Sequence, residues 1–339
     1  MKCVVTDYVE PELSWEAEEY RNAGIEFESY SLRFGSEEEL SRAVKDAEVI
    51  VVDQAKITRA VLEAASRCVL VIRHGDGYDN VDLQAATELG IAVANEPGFW
   101  SEEVAEQTVV LILATWAKLP AQMAVAAHPA ETNGLPWDIH RLFPIRRFAG
   151  STAGIIGYGK IGRAVARKLI ALGAETLVYD QYVDSAEIRD TGAIPRTFEE
   201  VMRESDVVSL HVPALPGGAP LVDAAVLSLM KPTSILVNTA RGALVDTDAL
   251  TAALDEERLA GAALDVTVPE PLPEYHTLLN RENVIVTPHT GWYSDDAMWA
   301  LRRNIVRDVM AVRKGVLPGT VVNQPVLASP VLRIPAIRF

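Results

Sequence analysis

The 339-residue chain sets 31 basic against 47 acidic side chains, for a formal net charge of −16, and is 49% hydrophobic. That length favours two domains with packed cores. The acidic balance argues against nucleic acid or an anionic membrane as a partner. Cys3 and Cys68, each beside a valine-rich run, read as buried structural thiols in a reducing compartment, not as a disulfide or a metal site.

Met1-Lys2-Cys3-Val4-Val5-Thr6-Asp7 meets an acid too soon for the apolar core of a secretory signal. Over the first hundred residues, short β runs at 3–6, 49–52, 69–72 and 91–94 alternate with amphipathic stretches at 36–47 and 58–65, the second opening on the cap residue Thr58. Pro97-Gly98 then interrupts the pattern as a hinge, and one long helix is predicted over 101–127. Its most apolar part, residues 109–114 with Trp116 and Ala117, falls short of the ~20 residues that a membrane helix requires. The expectation is a cytoplasmic protein with this helix buried between domains or subunits. Residues 128–148, with Pro129, Gly134, Pro136, Trp137 and Pro144, read as a loop.

A second alternation follows, with strands at 153–157, 176–179, 207–212, 235–238, 262–265 and 284–287. Helices are predicted at 161–172, 199–203, 224–230, 247–256 and 294–314, before an irregular tail. Two β/α alternations predict an α/β protein of two doubly wound parallel-sheet domains.

Gly157-Tyr158-Gly159-Lys160-Ile161-Gly162 opens from a strand into a helix, and Asp180 closes the next strand near the ~20-residue offset of a ribose-binding acid. Such glycines permit a tight turn and let a pyrophosphate approach a helix N-terminus. Asp180 would accept hydrogen bonds from the ribose hydroxyls and repel a 2′-phosphate, which favours NAD over NADP.

Three later motifs each follow a strand: Arg241 in Asn238-Thr239-Ala240-Arg241-Gly242, Glu270 between Pro269 and Pro271, and His289 in Thr287-Pro288-His289-Thr290-Gly291. Arg241 offers a planar fork for a carboxylate. A Glu beside a His favours the imidazolium, and the His then delivers a proton to a carbonyl oxygen. With a nicotinamide to supply hydride, these are the parts needed to reduce a 2-oxo acid. His211, before Val212-Pro213 at a strand end, is a candidate near the adenine. The Gly75-Asp76-Gly77 turn after His74 is a candidate anion cradle.

In this order the motifs resemble the D-isomer-specific 2-hydroxyacid dehydrogenases. The resemblance also takes in Arg73-His74-Gly75-Asp76-Gly77-Tyr78-Asp79-Asn80-Val81-Asp82 and Glu103-Val104-Ala105-Glu106-Gln107-Thr108, and it covers nearly the whole chain. It implies a flavodoxin-like split substrate domain, residues 1–98 plus 291–339, around a Rossmann nucleotide domain, residues 99–290. A homodimer through the nucleotide domains is also implied. Cofactor positions fall on Thr108, the 157–162 turn, Asp180, His211, Val212, Pro213, Thr239, Ala240, Arg241, Asp265, His289 and Gly291. Substrate positions fall on His74, Gly75, Asp76, Gly77, Arg241 and Trp292. The segment His289-Thr290-Gly291-Trp292-Tyr293-Ser294-Asp295 is similar to the C-terminal-binding-protein branch, so an NAD(H)-responsive binding protein is the alternative to an enzyme. Phosphite-type oxidation is a further option, whereas formate oxidation needs no acid–base pair such as Glu270 with His289.

Asp76 stands where the family usually has a small or apolar residue. Trp292, with Phe99 and Trp100 opposite, is expected to wall the pocket for the substrate side chain. An inward Asp76 would repel a second carboxylate, which favours medium-length monocarboxylic 2-oxo acids. The alternative is that the Asp76 side chain faces water.

Overall fold

The computed structural model describes residues 1–98, 100–128, 135–214 and 218–333. Phe99, Pro129 and Gly134 lie outside them. The chain divides into two compact units, Met1–Phe99 with Ser294–Phe339, and Trp100–Tyr293.

In the first unit, β1 (Lys2–Val5), α1 (Ser14–Asn22), β2 (Glu26–Ser29), α2 (Glu37–Val44), β3 (Val49–Val52), α3 (Arg59–Ala64), β4 (Leu70–Arg73), α4 (Leu83–Glu88) and β5 (Ala92–Ala94) alternate. The strands form a parallel sheet ordered β2-β1-β3-β4-β5. All four residues of β3, Val-Ile-Val-Val, are buried, as a strand covered on both faces requires. Ile50, Val52, Val71 and Val93 pack there with Leu40, Val61 and Leu62 from the helices. Ser36 and Thr58 cap α2 and α3 with their side-chain oxygens. Cys3 and Cys68 are both buried and free, and burial pushes each thiol up to about 12.

Three of these elements are absent from the sequence reading. β2, Glu-Phe-Glu-Ser, is an edge strand whose Glu28 takes Lys2 Nζ at 2.7 Å; edge strands carry charge where central ones cannot. In α1 the buried residues are Glu16 and Tyr20, so its inner face is not apolar. Glu16 Oε2 instead accepts from Arg302 Nη2 at 2.6 Å. The short α4 is capped by Asp82.

The second unit starts with α5 (Ser101–Trp116) and α6 (Leu119–Ala127), which bend by 57° at their junction. The single helix expected over 101–127 is therefore two. Lys118 adopts φ +54 at the break and Pro120 stands at the start of α6. A proline has no N–H for the helix ladder, and its ring would clash with the carbonyl of residue 116 were the helix continuous. Among the described residues, no single helix is long and apolar enough to cross a membrane.

Then come β6 (Thr152–Ile156), α7 (Lys160–Ala171), β7 (Glu175–Tyr179), α8 (Ser185–Asp190), β8 (Ile194–Pro195), α9 (Phe198–Glu204), β9 (Val207–Leu210), α10 (Ala224–Leu227), β10 (Ile235–Asn238), α11 (Thr247–Asp255), β11 (Gly261–Leu264) and β12 (Val284–Val286). The parallel sheet runs β12-β11-β10-β9-β6-β7-β8. Chain order reverses between β6 and β9, the switch point at which doubly wound sheets take their ligands. Apolar layers cover both faces, one around Leu210, Leu236 and Leu250, the other around Ile155, Val165 and Leu169.

The chain then returns to the first unit through α12 (Asp295–Arg313), capped by Ser294. Beyond it, Val321 pairs antiparallel with Ala94, and Val322 N–H donates to the Val93 carbonyl at 2.8 Å. The C-terminal segment thus covers the free edge of β5.

Candidate active site

The glycine turn lies at the switch point. Gly157 has φ +96, and a Cβ there would stand 2.5 Å from the His211 carbonyl oxygen at the end of β9. A Cβ at Gly162 would stand 2.1 Å from the Gly157 carbonyl. At Gly159, just before α7, a Cβ would meet nothing within 4 Å among the described residues. The first and third glycines are needed for close packing, and the second leaves open space in front of a helix N-terminus. Lys160 is exposed there and Ile161 half-buried. Tyr158 turns its side chain inward, fully buried, with its hydroxyl on Thr191.

Asp180 follows β7. Its Oδ2 accepts Tyr158 N–H at 2.6 Å, and its Oδ1 accepts Tyr182 N–H at 2.8 Å and Val183 N–H at 3.1 Å. Partial burial works against its charge, but the three amides, with Arg163 nearby, outweigh it and hold the carboxyl below its usual value. Asp180 is therefore a fixed anion at the end of the strand. Open space beside the Gly159 Cα and an anchored carboxylate one strand away fit a dinucleotide.

His211 is half-buried with Nε2 2.9 Å from Ser209 Oγ. Burial drives its pKa down to about 3, so this imidazole is neutral. Val212 is half-buried and Pro213 exposed.

Beyond β10 the turn is built by Asn238, which the sequence reading did not single out. Its Oδ1 accepts Ala240 N–H at 3.1 Å and its Nδ2 donates to the Arg241 carbonyl at 2.8 Å. Arg241 is half-buried, with Nη1 donating to the Ala240 carbonyl at 2.8 Å. Gly242 follows because a Cβ there would lie 2.2 Å from the Thr267 carbonyl oxygen. Thr108 is fully buried, its hydroxyl donating to the Val104 carbonyl and lying 2.7 Å from Thr239 Oγ1. It joins α5 to the Arg241 turn and presents no open face.

Glu270 and His289 meet: His289 Nδ1 lies 2.6 Å from Glu270 Oε1. His289 holds a left-handed backbone, φ +55, a region costly for most residues outside glycine. Asp265, buried beyond β11, clamps the surrounding loop. Its Oδ1 accepts Thr287 Oγ1 at 2.5 Å and Thr290 N–H at 3.1 Å, and its Oδ2 accepts Gly291 N–H at 2.9 Å. Gly291 packs so close that a Cβ would sit 2.9 Å from Asp265 Oδ2. Trp292 donates its indole N–H to the His289 carbonyl at 3.0 Å and meets Tyr293 edge-on.

In the first unit, His74 is buried with Nε2 2.8 Å from Glu10 Oε1, a partner not foreseen from sequence. Burial opposes charge on this ring, but the Glu10 carboxylate outweighs it and raises the His74 pKa. Gly75 is buried and Gly77 half-buried. The Asp76 side chain is exposed, and Asn95 Nδ2 donates to its carbonyl at 2.7 Å and reaches its Oδ1 at 3.3 Å. Trp100 is buried at the start of α5. Among the described residues no cluster of His, Cys, Asp and Glu could hold a metal ion.

A parallel sheet with a glycine turn at its switch point and an acid beyond the next strand defines a dinucleotide-binding domain. Residues 119–291 match the D-isomer specific 2-hydroxyacid dehydrogenase, NAD binding domain. The chain is 36% identical to a glyoxylate reductase of Pyrococcus furiosus over 86% of either chain. It is 37% identical to a D-3-phosphoglycerate dehydrogenase of Methanocaldococcus jannaschii over 86% of this chain, spanning 54% of that longer protein. A solved D-lactate dehydrogenase of Aquifex aeolicus, complexed with NAD and lactic acid, superposes with a TM-score of 0.77 at 29% identity over 92% of this chain and 96% of that one.

The chain belongs to the D-isomer-specific 2-hydroxyacid dehydrogenase family; it is an NAD-dependent oxidoreductase, and its cofactor is NAD. These likenesses reach the family and stop short of its C-terminal-binding-protein branch.

Proposed function

We propose that the chain interconverts a 2-oxo acid and a D-2-hydroxy acid, with His289 as acid and base, Glu270 orienting it, and Arg241 binding the substrate carboxylate. The observation that carries this is the 2.6 Å contact of His289 Nδ1 with Glu270 Oε1, in a loop clamped by Asp265. In the reducing direction NADH, when bound, supplies the hydride. Glu270 on Nδ1 leaves the opposite nitrogen, Nε2, to carry the proton, so His289 gives that proton to the carbonyl oxygen as it becomes a hydroxyl. Arg241 offers two parallel donors to a carboxylate and a cationic edge to the developing alkoxide. Asp180 takes the adenosine ribose hydroxyls and disfavours a 2′-phosphate. The glyoxylate reductase among the relatives supports a monocarboxylic 2-oxo acid such as glyoxylate as substrate; the Asp76 side chain, exposed and not turned inward, gives no support to selection against a second carboxylate.

The test is NADH oxidation against a panel of 2-oxo acids. His289→Ala is expected to lower the rate ~10²–10⁴-fold, the span of general acid–base catalysis. Arg241→Ala is expected to raise KM as well as lower kcat. Full kcat in His289→Ala, with any substrate of the panel, removes the assigned role.

The second unit also exposes Val110, Leu119, Met123, Trp137 and Phe143. Apolar surface of this kind supports a homodimer. The two free, buried thiols fit a reducing cytoplasm.

A further inference from the structure

His289 is held in an unusual backbone, and the indole N–H of Trp292 in its loop is a donor that the reaction itself does not use. Left-handed φ at a residue other than glycine persists only where its surroundings fix it. Just after His289, Asp265 takes the amides of Thr290 and Gly291. One residue further on, the indole N–H of Trp292 reaches back three residues to the His289 carbonyl at 3.0 Å. That bond holds the carbonyl of the residue whose φ is +55. The indole ring is itself set by Tyr293, which meets it at 90° with centroids 5.7 Å apart. Turning the His289–Thr290 peptide away from this orientation lengthens the Trp292 bond. The ring borne by this backbone has its Nδ1 2.6 Å from Glu270 Oε1.

We propose that Trp292 is a positioning residue for proton transfer: its indole N–H, by holding the His289 carbonyl, keeps the imaginary arc of that ring's motion narrow and its Nδ1 on Glu270. This rests on His289 being the proton donor. It differs from a role as a wall of the substrate pocket, because a wall acts through the ring's bulk and a tether through a single N–H.

Trp292→Phe separates the two, since it keeps an aromatic ring and removes the donor. The tether predicts that kcat with the best 2-oxo acid falls about three- to tenfold, the rate equivalent of one ordinary hydrogen bond. KM for NADH and the ranking of short against long 2-oxo acids stay as in the wild type. In a double-mutant cycle with Glu270→Gln the losses are less than additive, because both act through one imidazole. An isosteric check is benzothienylalanine at position 292, where sulfur replaces the N–H. It serves also if Trp292→Phe does not fold. Unchanged kcat in the isostere overturns the tether, as does a reordered substrate ranking with kcat intact. A wild type that turns over no 2-oxo acid overturns the proposed function and this inference together. An active wild type with an indifferent isostere overturns the inference alone.

Discussion

A methyl group added at Gly159 would meet no atom within 4 Å among the described residues, whereas one added at Gly162 would be driven to 2.1 Å from a backbone oxygen. The two glycines of one motif therefore do different jobs. Gly159→Ala is expected to leave the melting temperature within a degree or two while weakening NADH binding at least tenfold, the methyl occupying space needed by the pyrophosphate. Gly162→Ala is expected to destabilise the fold by about 1–3 kcal/mol, the usual toll of overpacking. Thermal melts with and without NADH read both, and equal behaviour of the two variants would sink the distinction. At this scale the sequence was partly legible. Gly157, Asp180, Glu270 and His289 announce themselves through their place after strands. Glu10 and Asn238 do not, because a lone Glu in a loop and an Asn at a strand end carry no periodic signal. Only the fold brings Glu10 to His74 and closes Asn238 over the Arg241 turn.

Between elements, the end of β5 meets α12 through two carboxyl groups. Glu96 and Asp308 are both buried, and Glu96 Oε1 has no hydrogen-bond partner among the described residues. Burial first, then the neighbouring charge of Asp308, raises Glu96 to about 7. The folded chain thus keeps a proton that the unfolded chain releases near 4.5. A raised carboxyl contributes its full stability in acid and loses it as pH rises from about 4.5 through about 7. Glu96→Gln, which cannot ionise, is expected to melt higher than the wild type at pH 8 and to flatten the decline over that window. Melting curves from pH 5 to 8 check this, and an unaltered slope would count against the pairing. Helices and strands with regular apolar spacing were readable from sequence. β2 and α1 were not: β2 is a four-residue edge strand with two glutamates, one of them on Lys2, and α1 buries a glutamate satisfied by Arg302. The 101–127 region misled for another reason: its composition is continuously apolar, and the break turns on Lys118 and Pro120 alone.

For the whole molecule, the two-sheet architecture was legible because each alternation of apolar runs and amphipathic stretches is long enough to bury a core. What composition cannot reveal is which apolar faces remain outside. Val110 is 58% exposed and Met123 64% exposed, on consecutive helices of the second unit. Val110→Glu together with Met123→Glu is expected to shift the species seen by light scattering at micromolar concentration from dimer to monomer. A wild type that is monomeric there would remove the dimer.

The first unit takes both its β5 edge and α12 from residues that follow the entire second unit. On a ribosome, the strands of the second unit are complete while β5 still lacks its neighbour. Domains fold as units during synthesis, so the contiguous middle of the chain can reach its final form before the unit that was begun first. A chain arrested near residue 300 would then carry a finished nucleotide fold and an opening half still waiting for its last partner. Of the two units, the one translated earliest is the one most exposed to a premature stop.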